Sequence, residues 1–284
     1  MTYTIAGALE TARRKLRDQT DSSALDAQTL LSAALGRPRA WLLAHPEIEL
    51  SDEQATRFAE SLDRVLAGTA LPHVLGEWEF FGRRFRLSPS VLIPRPETER
   101  MVELALQWVS RIGTSSRILD VGTGSGCIAV TLALELPGAS VIASDVSREA
   151  LEIARLNAEA HGVLAKIACV QADLLAALVG PFDLLCANLP YVTTEELKIL
   201  PVREPLLALD GGPDGLSLIS RLVSDLPRCL APRGAALLEI DPRQAGRVVR
   251  MARAALPGST VEVAQDLAGK DRVVLVRAGG SRAD

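Results

Sequence analysis

The stretch Ile118-Leu-Asp-Val-Gly-Thr-Gly-Ser-Gly126 constrains this chain more than any other. An apolar run carries one acidic residue, Asp120, and then glycines alternate at Gly122, Gly124 and Gly126. The apolar pattern Cys127-Ile-Ala-Val-Thr-Leu-Ala-Leu follows directly. This reads as a buried strand turning sharply into a helix. Alternating glycines tolerate positive φ angles and let a ligand lie against bare backbone. At the end of a parallel strand, such a loop implies a nucleoside-bearing cofactor.

The periodicity on either side sets the architecture. After residue 117 strand patterns (117–121, 140–145, 165–173, 182–188, 235–240) alternate with helical ones starting at Cys127, Arg148, Leu216 and Gln244. That alternation predicts an α/β domain with a parallel sheet, closed by a strand pair at 260–263 and 272–277. The first seventy residues instead predict short helices. Ile5, Leu9, Ala12 and Leu16 share one helical face, Gly36 is placed to end a second helix, and Ser51-Asp-Glu-Gln54 has the form of a capping box. Between the two regions, Arg83 to Leu87 and Val91 to Ile93 read as the strands of a hairpin turning at Ser88-Pro-Ser90. Pro96-Glu-Thr-Glu99 then opens a helix, its acids complementing the helix dipole. The expected domains are a helical bundle for substrate recognition (1–70), a β-hairpin linker (71–95) and a catalytic α/β domain (96–284). The tail from Ala278 is expected to fray.

Composition narrows the function by exclusion. The formal net charge is -4, which disfavours a protein that tracks a nucleic-acid backbone. No apolar run approaches the length of a membrane span, and the amino terminus lacks a basic segment followed by an apolar one, so a cytoplasmic location is expected. Cys127, Cys169, Cys186 and Cys229 form no C-x-x-C pair, and His45, His73 and His161 are scattered, so buried thiols and no metal site are expected.

The glycine spacing separates two cofactor classes. A dinucleotide fingerprint, G-x-G-x-x-G/A, would need Gly or Ala at position 127, which is Cys127. The pattern D-x-G-x-G-x-G resembles class I S-adenosylmethionine (SAM) methyltransferases. Asp145, about twenty residues further on, can accept hydrogen bonds from ribose hydroxyls of either cofactor. The resemblance implies a SAM site built from Asp120, Gly122, Thr123, Gly124, Ser125, Gly126 and Asp145, with Asn188 at its edge. It also implies that Asp173 accepts from the adenine amine while Leu174 packs on the ring.

Asn188-Leu-Pro-Tyr191 follows the fourth strand of this domain and resembles the [D/N]-P-P-[Y/F] motif of amino-methyltransferases. Those enzymes methylate planar nitrogens, whose delocalised lone pair is a poor nucleophile. The Asn188 side-chain oxygen and the Leu189 carbonyl are expected to accept the N–H groups, and Tyr191 to pack on the planar group, with Pro190 restricting Leu189. Leu189 stands where the motif usually has proline. The segments 72–82, 91–99, 204–216 and 266–272 extend the resemblance over nearly the whole chain, to the HemK/PrmC family. That resemblance implies a Rossmann-like, seven-stranded SAM domain behind a small helical domain and a hairpin. The implied reaction methylates the glutamine amide in the Gly-Gly-Gln motif of class I peptide-chain release factors. Glutamine methylation of a ribosomal protein, methylation of nucleic-acid amines, and a non-enzymatic binding module are the competing readings. Oligomeric state is not legible.

Overall fold

The computed structural model describes residues 3–113, 115–199 and 203–279. The chain divides into two units, one ending at Glu77 and the other beginning at Trp78.

The first unit contains α1 (Ile5–Leu16), α2 (Ser23–Leu35), α3 (Arg39–Ala44), α4 (Asp52–Leu66) and α5 (Leu71–Leu75). Local chemistry sets the boundaries. The Thr4 hydroxyl accepts the Gly7 N–H at 3.2 Å, Gly36 closes α2 at φ 62°, and both bonds of the Ser51/Gln54 capping box are made. Ile5, Ala8, Ala12 and Leu16 of α1 share a core with Leu30 and Leu31 of α2 and with Phe58, Leu62 and Val65 of α4. Leu9, expected on the inner face of α1, is only partly buried.

A hairpin follows, made of β1 (Glu77–Phe80) and β2 (Arg83–Arg86). This corrects the expected pairing of 83–87 with 91–93. The chain turns at Phe81 and Gly82, both at positive φ (51° and 70°), as a two-residue hairpin turn requires. Glu99 accepts the Phe81 N–H at 2.7 Å and so helps hold that turn. Segment 91–93 joins no strand; its Ile93 N–H donates instead to Glu204 Oε2 at 2.9 Å.

The rest of the second unit runs α6 (Pro96–Ile112), β3 (Arg117–Val121), α7 (Cys127–Glu135), β4 (Ser140–Asp145), α8 (Arg148–Ala160), β5 (Ile167–Gln171), β6 (Phe182–Ala187), α9 (Thr194–Ile199), α10 (Ser217–Cys229), β7 (Leu230–Glu239), α11 (Ala245–Ala255), β8 (Thr260–Gln265) and β9 (Asp271–Arg277). Seven strands form one sheet in the order β5-β4-β3-β6-β7-β9-β8. Strands β3 to β7 are parallel, and β9 runs antiparallel to both β7 and β8. The period-two alternation of the strands feeds two cores. Leu119, Val121, Leu185 and Leu238 pack with residues of α10 and α11, whereas Ile118, Leu184, Cys186 and Leu237 pack with residues of α6 and α7. Cys127, Cys186 and Cys229 are buried and Cys169 is half-buried, all as free thiols. Helix α9 was not expected, although Thr193-Thr-Glu-Glu196 carries its signal. Thr193 Oγ1 accepts the Glu196 N–H at 3.2 Å, and Glu196 accepts the Thr193 N–H at 3.1 Å. Of the tail, 280–284 lie outside the described residues.

Asn157, buried in α8, ties three segments together. Its Oδ1 accepts the Arg86 N–H at 2.8 Å, and its Nδ2 donates to the Arg86 carbonyl (3.0 Å) and the Ser125 carbonyl (2.8 Å). Asn157→Ala strips those partners from largely buried backbone. It is expected to lower unfolding free energy by about 1–3 kcal/mol in urea denaturation.

Candidate active site

The glycine loop is shaped by the carboxylate that precedes it. Asp120 is fully buried on the face of β3 that meets α7. Its Oδ2 accepts the Thr123 hydroxyl at 2.6 Å and the Ala129 N–H, in the first turn of α7, at 3.2 Å. The carboxylate thus caps a helix whose own N-cap, Gly126, at φ 78°, has no side chain to do it. Burial pushes the Asp120 carboxyl up to about 7, and its Oδ1 has no partner among the described residues. Gly122 and Gly124 also have positive φ (71° and 55°). A Cβ at Gly126 would lie 3.0 Å from the Ala154 Cα and Cβ, so loop and α8 approach as closely as they do only because glycine is there.

A cavity of about 290 Å³ opens at the carboxyl ends of the parallel strands. Gly122, Thr123, Gly124 and Ser125 form one wall, and Asp145, Asp173, Leu174, Asn188, Leu189 and Pro190 also line it. The structure therefore brings together most of the residues singled out in the sequence. Three are placed differently from expectation. Asp120 stands behind the loop rather than in the cavity wall, because its side chain alternates to the α7 side of the sheet. Gly126 likewise lies outside the wall, turned against Ala154. Tyr191 is absent from the wall too and packs against the core beside α10 and α11. Burial and the nearby Glu239 carboxylate push its hydroxyl up to about 12.

Asp145 accepts two backbone N–H groups, from Gly124 (2.9 Å) and Ser147 (2.9 Å). Burial nevertheless raises its carboxyl above the usual range. It joins the glycine loop to the end of β4 while still facing the cavity. Asp173 is engaged as well: Arg221 of α10 donates to it at 2.7 Å in an exposed ion pair. Leu174, next along, is held at φ 51° and is buried.

The turn after β6 is held from several directions. Gly122 has Leu189 as its nearest neighbour: a Cβ there would sit 3.1 Å from Leu189 Cδ2. Leu189 itself is buried in the sheet core. From below, Gln244 Nε2 donates to the Tyr191 carbonyl at 3.0 Å and to the Gly215 carbonyl at 3.1 Å. A Cβ at Gly211 would lie 2.7 Å from the Pro190 carbonyl oxygen, so glycine at 211 lets this loop approach the turn. Asn188 Nδ2 donates to Thr98 Oγ1 at 3.1 Å. The acceptor end of its amide, Oδ1, is thereby turned away from Thr98, and both residues line the cavity.

Several lining residues were not anticipated. Val146 and Leu207 are exposed apolar side chains in the wall, and Arg95 forms an ion pair with Glu204. In the sequence Thr98 is part of an acidic helix start; its one distinguishing signal is that it is a hydroxyl among acids. Glu239 carried no signal beyond a charge ending an apolar strand. It is 1% exposed, and burial pushes its carboxyl up to about 7.

Bare glycine backbone, a carboxylate facing inward and apolar residues at the ends of consecutive parallel strands make up a class I methyltransferase site, and the fold agrees. A methyltransferase from Pyrococcus furiosus superposes with a TM-score of 0.53 at 17% identity, covering 78% of this chain and 99% of that one. Residues 7–76 match the PrmC N-terminal domain, and 101–204 match the methyltransferase small domain. A release factor glutamine methyltransferase from Bradyrhizobium diazoefficiens is 40% identical, covering 95% of each chain. Another, from Moorella thermoacetica, is 41% identical over 94% of this chain and 95% of its own. The chain belongs to the release factor glutamine methyltransferase family.

The cavity chemistry fits SAM, the donor these enzymes use. Gly124 lines the wall, and nothing lies within 4 Å of where its Cβ would be, so backbone is exposed to the ligand there. Val146, Ala172 and Leu174 offer apolar surface to a base, and Asp145 offers acceptors to hydroxyls.

Asp120 and Glu239 both keep their protons to about pH 7 in the folded chain, against about 4 when unfolded. Between those limits the native state binds more protons than the unfolded one, so unfolding free energy falls as pH rises. Denaturation of the ligand-free protein across a pH series is expected to show stability declining from about pH 4 to about pH 7. In Asp120→Asn the decline is expected to be shallower.

Proposed function

We infer that the protein transfers the methyl group of SAM to the side-chain amide nitrogen of a glutamine, the one in the Gly-Gly-Gln motif of class I peptide-chain release factors. One observation carries this reading: the Asn188–Pro190 turn and the glycine loop line the same cavity from the ends of adjacent strands, β6 and β3.

Bound SAM supplies a methyl group on a positively charged sulfur. The remaining requirements fall on the protein. An amide nitrogen shares its lone pair with the carbonyl; it must give up that conjugation to form the new N–C bond as the donor's S–C bond breaks, and it then releases one N–H proton to solvent. Asn188 Oδ1 and the Leu189 carbonyl accept its two N–H groups. They orient the lone pair and stabilise the charge that develops on nitrogen. A neutral Asn suits a group that is cationic only in passing. Leu189 keeps the carbonyl that proline would supply, and Pro190 restricts its backbone. Asp145 is assigned to the ribose hydroxyls, and Asp173 with Leu174 to the adenine. The Asp173 contact with adenine then shares its carboxylate with Arg221. Asp120 and Gly126 act indirectly, by shaping the loop. Tyr191 stands next to the turn, beside Glu239 and Arg95, and is assigned to packing on the planar amide.

The amino-terminal helical unit is assigned to recognition of the release factor, and the protein to the cytoplasm. Among the described residues no helix is long and apolar enough to cross a membrane. The net charge of -4 speaks against nucleic acid as a direct substrate.

Incubation with methyl-labelled SAM and, separately, a class I release factor, a ribosomal protein and RNA, followed by mass spectrometry, tests the assignment. Label is expected on the release-factor glutamine, and label on RNA alone overturns it. Asn188→Ala is expected to abolish transfer while SAM affinity, read by calorimetry, stays within about threefold.

A further inference from the structure

We propose that Thr98 and Glu239 are positioning residues for methyl transfer: with Asn188 they form a buried hydrogen-bond chain that dictates which end of the Asn188 amide faces the cavity. The proposal rests on the reading of Asn188 Oδ1 as an acceptor for the substrate N–H.

The two ends of an asparagine amide have nearly the same shape and opposite chemistry. If the group turns over, the cavity meets an N–H donor instead of an acceptor. Packing alone discriminates poorly between the two states, so the choice falls to hydrogen bonding. Asn188 Nδ2 donates to Thr98 Oγ1 at 3.1 Å, and Thr98 Oγ1 in turn donates to Glu239 Oε2 at 2.7 Å.

The direction of the chain is set at its far end. Above about pH 7, where Glu239 ionises, its carboxylate can only accept, so the single Thr98 proton is committed to it. What Thr98 then presents to Asn188 is a lone pair. A flipped Asn188 would place its oxygen against that lone pair, acceptor on acceptor, in a buried site. Thr98 is 2% exposed and Glu239 1% exposed, which leaves little room for solvent to relieve the mismatch.

The chain depends on three separate elements. Thr98 lies in the first turn of α6, Asn188 follows β6, and Glu239 ends β7 beside it. Thr98 is not used to cap its helix; the N-cap residue is Arg95, and no side-chain cap bond is made there. Glu239 is a poor packing residue: its Oε1 has no partner among the described residues. A buried carboxylate with one oxygen unpaired lowers stability relative to an apolar side chain of similar size. Its use lies in a property an apolar side chain lacks: an oxygen, Oε2, that accepts the Thr98 proton. Burial holds the Glu239 proton up to about pH 7; the Thr98 hydrogen bond, Arg272 and Arg95 favour the ionised form, and Glu97 joins burial in opposing it.

The test compares Thr98→Val, Thr98→Ser, Glu239→Leu and Asn188→Ala, measuring kcat and KM with a class I release factor, SAM affinity by calorimetry, and melting temperature. Thr98→Val is expected to lower kcat by about tenfold or more, with SAM affinity within about twofold of the parent. Thr98→Ser, which keeps the hydroxyl, is expected to stay within about threefold in kcat. Glu239→Leu frees the Thr98 proton to meet Asn188 Oδ1, so kcat is expected to fall by about tenfold while melting temperature holds or rises. A merely structural role predicts the opposite pairing, with kcat following melting temperature. If either variant fails to fold, Thr98→Ala and Glu239→Met take its place. Retained turnover in Asn188→Ala would overturn the parent reading. Loss in Asn188→Ala with unchanged kcat in the Thr98 and Glu239 variants would overturn the chain alone.

Discussion

Gly122 packing on Leu189 is the contact on which the rest of the site depends. Strands β3 and β6 are neighbours in the sheet order, at the point where the connections leave in opposite directions, and a crevice forms there. Each strand ends in one half of the chemistry. The glycine loop after β3 faces the methyl donor, and the turn after β6 faces the acceptor. A missing side chain at 122 lets the two halves touch. The two halves therefore meet through one leucine side chain lying on bare backbone.

Around that contact the protein spends buried polarity where a core would ordinarily be apolar. Asp120 holds the loop and the start of α7, Asp145 ties the loop to β4, and Glu239 stands under Thr98. All three carboxyls are raised by burial. All lie in the carboxyl-terminal half of a parallel strand, where side chains and backbone of neighbouring loops can satisfy part of each group. The opposite ends of the same strands carry Arg117 and Ser140, both exposed, and no comparable cluster. The destabilising groups therefore sit where the ligand cavity is.

The regular parts of this architecture were legible because they follow from period and punctuation. Gly36, Ser51 and Ser147 mark helix ends by local chemistry, and the alternating strands around Asp120 announce a two-sided sheet. The hairpin departs from expectation because Phe81 occupies a positive-φ position that sequence rules assign to Gly or Asn. Its backbone is held by Glu99, a long-range contact invisible in local pattern. The same limit applied to the site. Asp145 and Asn188 were findable from position after a strand. The engagement of Asp173 by Arg221 and the pairing of Thr98 with Glu239 join residues dozens to more than a hundred positions apart. A motif names the residue; the side on which it lies is decided by what packs against it.

Leu189, where the wider motif carries proline, has a consequence for how this sequence can change. Positions 122 and 189 are distant in the chain and share one small volume. A substitution at either is judged by the occupant of the other, so the two are epistatic. Reverting Leu189 to proline would empty space that the glycine loop now leans on. A mutational path between the two forms must therefore adjust the cofactor side of the cavity as well as the acceptor side.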